Sequence, residues 1–138
     1  MKKPQNVVTF RGRFLGIAVL VVVQFIVGFI HVFFGFAMLS GNYSIDAFSI
    51  TPAIYSIYTL AYGTLTLLFT YLIWAGKRLG WIGTVAVSLF VIVADTLTII
   101  DLLGFLGIPK PAALGEIPFS ILILAYILQN HVRSRFSI

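Results

Sequence analysis

The chain has 138 residues, of which 60% are hydrophobic and only 9% charged. A soluble domain needs about 25% charged residues to build its water-facing surface, so this composition excludes a soluble globule and leaves one membrane-embedded bundle with no second domain. The net charge of +5 gathers at the edges of apolar runs, which assigns it to membrane topology and not to nucleic acid. The absence of cysteine excludes disulfides, iron–sulfur clusters, thiol catalysis and cysteine zinc sites.

Residues 1–13 are polar and basic, with Lys2, Lys3, Arg11 and Arg13. A secretory signal begins this way, but the apolar run that follows is far longer than a signal core of about 7–15 residues. Near its end only Ala37-Met38-Leu39-Ser40-Gly41 stands where a cleavage site belongs, so the run reads as an uncleaved first span over residues 14–39. At about 1.5 Å per residue it exceeds a hydrocarbon core of about 30 Å and must tilt or project.

A loop with Gly41, Asn42 and Asp46 leads to Pro52, which suits a first helical turn. Span two covers residues 52–75. Its exit reads Trp74-Ala75-Gly76-Lys77-Arg78-Leu79-Gly80-Trp81, two interfacial tryptophans around two cations in a tight turn. Span three runs over residues 81–103 with Asp95 near its middle. Residues 104–115, holding Gly104, Gly107, Pro109, Pro111 and Gly115, read as a loop. Span four, residues 116–132, is the weakest. Pro118 stands near its start, and the long side chains of Gln129, Asn130 and His131 reach the interface.

The fold class expected is all-α, a four-helix transmembrane bundle in the cell membrane. If the N-terminus is cytoplasmic, Lys2, Lys3, Arg11, Arg13, Lys77, Arg78, Arg133 and Arg135 fall on that side and Lys110 alone on the other. The positive-inside rule then places both termini in the cytoplasm, which requires an even number of spans.

Each span carries a polar or small stripe at helical spacing: Gln24, Gly28, His31 and Gly35; Tyr55, Thr59, Tyr62, Thr66 and Thr70; Thr84, Ser88, Asp95 and Thr98; Glu116 and Ser120. Such residues let membrane helices approach and hydrogen-bond. Counting inward at about 1.5 Å per residue places Asp95, His31 and Tyr62 at similar depth in the outer half of the bilayer. A carboxylate in hydrocarbon costs about 3 kcal/mol or more, so His31 and Asp95 are expected to be hydrogen-bonded, directly or through Tyr62 or a water. Asp101 and Glu116 are expected at the outer edge, solvated. The candidate intramembrane cluster is therefore His31, Asp95, Tyr62, Thr59, Thr98 and Gln24.

Two readings of the cluster stand. It is a structural lock that fixes helix register, or a site for a proton, a cation or a polar ligand. Only two histidines exist, and His131 lies at the opposite face, so neither a transition-metal site nor bis-histidine haem is expected. No phosphate-binding glycine loop appears, and no cofactor is expected. Gly76 and Gly80 match a helix-contact spacing, but in the turn they serve the bend.

With Tyr62-Gly63, the exit from Trp74 to Trp81, an acid late in span three and the tail from Leu128 to Phe136, the chain resembles small four-helix membrane proteins of bacteria and archaea. The resemblance runs over residues 28–136 and transfers no catalytic residue. A fainter resemblance, to DoxX-like proteins, implies an accessory role beside membrane oxidoreductases. The function expected is a non-enzymatic accessory or structural subunit of a larger membrane complex, its partners lipid and other membrane chains or copies of itself. The alternative is a small proton- or ion-linked transporter or channel using an intramembrane His–Asp pair.

Overall fold

The computed structural model describes residues 9–10, 13–41, 51–104 and 107–138. Lys2, Lys3, Arg11, Asn42 and Asp46 lie outside them. The chain opens with a two-residue antiparallel ladder, β1 (Thr9–Phe10) on β2 (Arg13–Phe14), with Thr9 opposite Phe14. Four long helices follow: α1 (Leu15–Leu39), α2 (Thr51–Trp74), α3 (Arg78–Ile99) and α4 (Lys110–Ile127). A short α5 (Asn130–Arg133) and a 3-10 turn at Ser134–Phe136 close the chain. The four long helices have the length and apolar character to cross a membrane, so by length and composition this is a multi-pass membrane protein.

Helix α1 packs on α2, α2 on α3 and α3 on α4. The α1–α2 crossing is close because both helices are bare there. A Cβ on Gly63 would lie 2.7 Å from the Val32 amide nitrogen and 2.8 Å from the Gly28 carbonyl oxygen, inside any tolerable contact, so only glycine lets the backbones meet. The α2–α3 turn is a Schellman motif. Lys77 N–H donates to the Leu72 carbonyl at 2.8 Å and Gly76 N–H to Ile73 at 2.9 Å. Gly76 supplies the positive φ of 70° that this cap demands. Helix α3 ends the same way, with Leu102 N–H on Leu97 and Asp101 N–H on Thr98. Here the left-handed position is held by Asp101, φ 63°.

The boundaries of α3 and α4 differ from those expected from the sequence. Helix α3 begins at Arg78 and ends at Ile99, so Asp95 sits one turn from its end, about 6 Å in, and not near its middle. Helix α4 begins at Lys110, so Pro111 and Gly115 belong to helix. Pro111 occupies the first turn, where its missing N–H costs nothing. Pro118 consequently lies inside the helix, where it removes one internal hydrogen bond. The chain breaks at Leu128 and Gln129 before α5.

The interior has two ends of different character. Where the chain termini and the α2–α3 turn meet, Ile17, Leu20, Ile73, Ile123, Ile127, Val132 and Phe136 form one apolar core. Trp81 closes this end by donating its indole N–H to the Ile127 carbonyl at 2.9 Å, one of the carbonyls α4 leaves free at its C-terminus. Toward the α3–α4 turn the core becomes polar.

Candidate functional site

The polar stripe of each helix faces the bundle axis. Thr84, Ser88, Asp95 and Thr98 of α3 are buried, as are Gln24 of α1, Ser56, Thr59, Thr66 and Thr70 of α2, and Ser120 of α4. Lipid leaves these groups no other place, because an unsatisfied polar group in hydrocarbon costs several kcal/mol. Two of the threonines satisfy themselves on their own helix. Thr70 Oγ1 donates to the Thr66 carbonyl at 2.6 Å and Thr98 Oγ1 to Ala94 at 2.9 Å.

His31 does not pair with Asp95. Its Nδ1 donates to the Val27 carbonyl one turn earlier at 2.8 Å, and its Nε2 lies 3.2 Å from Glu116 Oε1 on α4. The Tyr62 ring stands edge-on to the imidazole at 4.7 Å between centroids. The early start of α4 explains the change of partner: it places Glu116 about 9 Å into the helix and not at its mouth. Glu116 is thus no rim acid; its side chain is 25% exposed and that of His31 18%. Asp101 does lie at the rim. It is exposed, and the Lys110 ammonium lies 2.8 Å from Oδ1 and 2.9 Å from Oδ2.

Asp95 is completely buried, at 0% exposure. Neither of its carboxylate oxygens has a hydrogen-bond partner among the described residues. Gln24 Oε1 and the hydroxyls of Thr59, Thr66 and Thr84 are likewise buried without hydrogen bonds. The Tyr55 and Tyr62 hydroxyls are turned toward Thr59 and Thr66 but fall short of hydrogen-bond geometry with them. Deeper in, Gln24, Tyr62, Thr66, Thr84, Ser88 and Ser120 border an internal cavity of about 10 Å³, room for about one water molecule. Three unsatisfied groups, on Gln24, Thr66 and Thr84, thus meet at one small void.

Compared with protein-family models, curated proteins and solved structures, the chain finds no match in any of the three. Its site is therefore read from its own geometry.

One participant escaped the sequence reading. Tyr58 stacks between Tyr55 and Tyr62, each ring centroid 6.5 Å away, and its buried hydroxyl has no hydrogen bond among the described residues. The signal was present: Tyr58 stands three positions after Tyr55 and four before Tyr62, on the same face. Among the described residues no three His, Asp or Glu side chains converge on a point that a metal ion could occupy.

Proposed function

We propose that this protein is a small non-enzymatic membrane protein that carries a small cation through its core, with Asp95 as the binding residue. The supporting observation is the buried Asp95 carboxylate with no hydrogen-bond partner among the described residues. A lock that fixes helix register works by satisfying its polar groups, and this group is not satisfied. An intramembrane acid held at such cost marks an ion or proton path. The test is cation and proton flux in proteoliposomes. Wild-type protein is expected to conduct and Asp95→Asn to be inactive; flux unchanged in Asp95→Asn removes the reading.

A second reading, an accessory or structural subunit of a larger membrane assembly, draws on the outer surface. Two apolar grooves flank the first half of α1. One, of about 450 Å³, is bordered by Val22, Phe25, Tyr71 and Trp74; the other, of about 460 Å³, by Val19, Leu122 and Tyr126. Each has the apolar lining that a neighbouring transmembrane helix or a second copy would cover. Purification in mild detergent at native expression tests it, and a lone monomer without a partner counts against it. In both readings the termini face the cytoplasm.

A further inference from the structure

We propose that the cation is a proton and that the core holds it at two stations, the His31–Glu116 pair and Asp95, loaded from the end of the bundle where α3 turns into α4. This deepens the transport reading and rests on it only for where the proton goes next. That a proton is bound stands or falls by itself.

The Val27 carbonyl fixes the tautomer of His31. A carbonyl only accepts hydrogen bonds, so the Nδ1 that faces it at 2.8 Å carries hydrogen. In a neutral imidazole the other nitrogen, Nε2, is then a bare acceptor. An ionised Glu116 is also only an acceptor. Two acceptors 3.2 Å apart repel; the contact becomes a hydrogen bond when one proton lies between them. Imidazolium with carboxylate and imidazole with carboxylic acid both meet that condition, and they contain the same number of protons. The pair as built therefore holds one.

Asp95 is the second station. An ionised carboxylate with no exposure and no partner is strongly disfavoured in a low-dielectric interior. It needs a positive charge that takes no space. A metal ion requires several oxygen ligands, and Asp95 borders none of the internal or surface cavities described above. A proton requires one oxygen lone pair.

Exposure falls from Glu116 (25%) and His31 (18%) to Asp95 (0%), so the pair is the station nearer the surface of the bundle. Glu116 and Asp95 both lie within electrostatic reach of the His31 ring. Among the described residues, the other titratable groups turned toward the site are the hydroxyls of Tyr55, Tyr58 and Tyr62 on α2. In transfer, Asp95 first gives up the proton it holds toward the opposite end of the bundle, and the proton shared by the pair then breaks from it and bonds to the vacated Asp95 oxygen. The imidazole and carboxylate left facing each other then take the next proton from water at the α3–α4 end.

The experiment uses the full chain in lipid nanodiscs, with ¹⁵N-histidine NMR to read the His31 ring and pH-jump titration to count protons taken up. Variants Glu116→Gln and Asp95→Asn keep side-chain shape, and His31→Gln serves as a further variant should either fail to fold. The expected result is an Nδ1–H ring in wild type whose Nε2 shares a proton. Glu116→Gln and His31→Gln each lower the uptake by one proton per chain, and Glu116→Gln leaves a neutral ring. Asp95→Asn also lowers the uptake by one but leaves the His31 signals of the shared proton in place. A ring protonated at Nε2 with a bare Nδ1, or equal uptake in wild type and all variants, overturns the proposal. Expected uptake without flux in proteoliposomes removes transport and leaves the site standing; flux without any change in uptake removes the site and leaves transport to another ion.

Discussion

Replacing Asp95 with leucine separates a lock from a site. Leucine has the same branched shape, with two methyl groups where the carboxylate oxygens stand, so it fits the space with limited overpacking. In the wild type both oxygens are fully buried without partners. Each unsatisfied buried polar group costs about 1–3 kcal/mol, and leucine removes both while adding apolar contact. Against this stands overpacking by the larger methyls, about 1–3 kcal/mol at worst. The structure therefore predicts that Asp95→Leu leaves stability unchanged or raises it, by up to about 3 kcal/mol, while abolishing cation flux. The assay is reversible unfolding in mixed micelles followed by helix circular dichroism, run beside flux measurements. A lock gives the opposite sign: breaking a buried, partnered carboxylate costs about 3–5 kcal/mol. A loss of that size in Asp95→Leu would refute the assignment of Asp95 as an unpartnered group.

Three further outcomes follow from the geometry. Gly63→Ala forces a methyl against the backbone of α1 and is expected to cost about 1–3 kcal/mol in the same assay, whereas Gly115→Ala, with open space around it, gains up to about 1 kcal/mol of helix propensity; equal effects would contradict the close α1–α2 crossing. Trp81→Phe keeps the ring but loses the bond to the Ile127 carbonyl, an expected loss of about 1 kcal/mol, and a neutral result would mean that water serves that carbonyl equally well. A reporter fused after Ile138 is expected to be active only in its cytoplasmic form, and a periplasmic or external signal would reverse the assigned orientation.

The architecture was legible because the bilayer is a severe solvent. Long apolar runs can only be spans, and a stripe such as Thr84, Ser88, Asp95 and Thr98 has nowhere to point but inward. The double-tryptophan turn was readable for the same reason: Gly76 between helix and cations is a C-cap in any solvent. Depth was harder. It was counted from helix ends, and prolines made those ends ambiguous. Pro111 reads equally as a loop residue and as the second residue of a helix, and choosing the loop put Glu116 at the bilayer edge. The helix that starts at Lys110 carries Glu116 inward by more than a turn and sets it opposite His31. Pairing was beyond reach for a second reason. Periodicity gives the face of each helix but not which neighbour that face meets, so His31 and Asp95, alike in depth, looked like partners. Two acids at similar depth compete for one histidine, and only the packing angles decide between them.

The two ends of the bundle divide its labour. The end that gathers both termini is filled with Ile17, Leu20, Ile73, Ile123, Ile127, Val132 and Phe136, and Trp81 ties α3 to the last turn of α4 there. The glycine crossing of α1 on α2 lies at the level of His31, whose Cβ would be 2.9 Å from a Cβ on Gly63. These contacts hold the helices in register without help from any charged group. The other end is then free to keep groups that oppose stability: an unpartnered carboxylate, a histidine that needs a proton to bond its neighbour, and a tyrosine hydroxyl without a partner. Natural sequences break the rule of satisfied burial where function requires it and compensate elsewhere in the fold. Among the described residues Asp95, Tyr58 and Thr59 leave buried groups without hydrogen bonds at that end, beside the His31–Glu116 contact, while Gln24, Thr66 and Thr84 do so around the small void deeper in and Arg133 does so at the apolar end. A bundle that needed those groups for its own cohesion would have paired Asp95 first, since it is the most deeply buried of them.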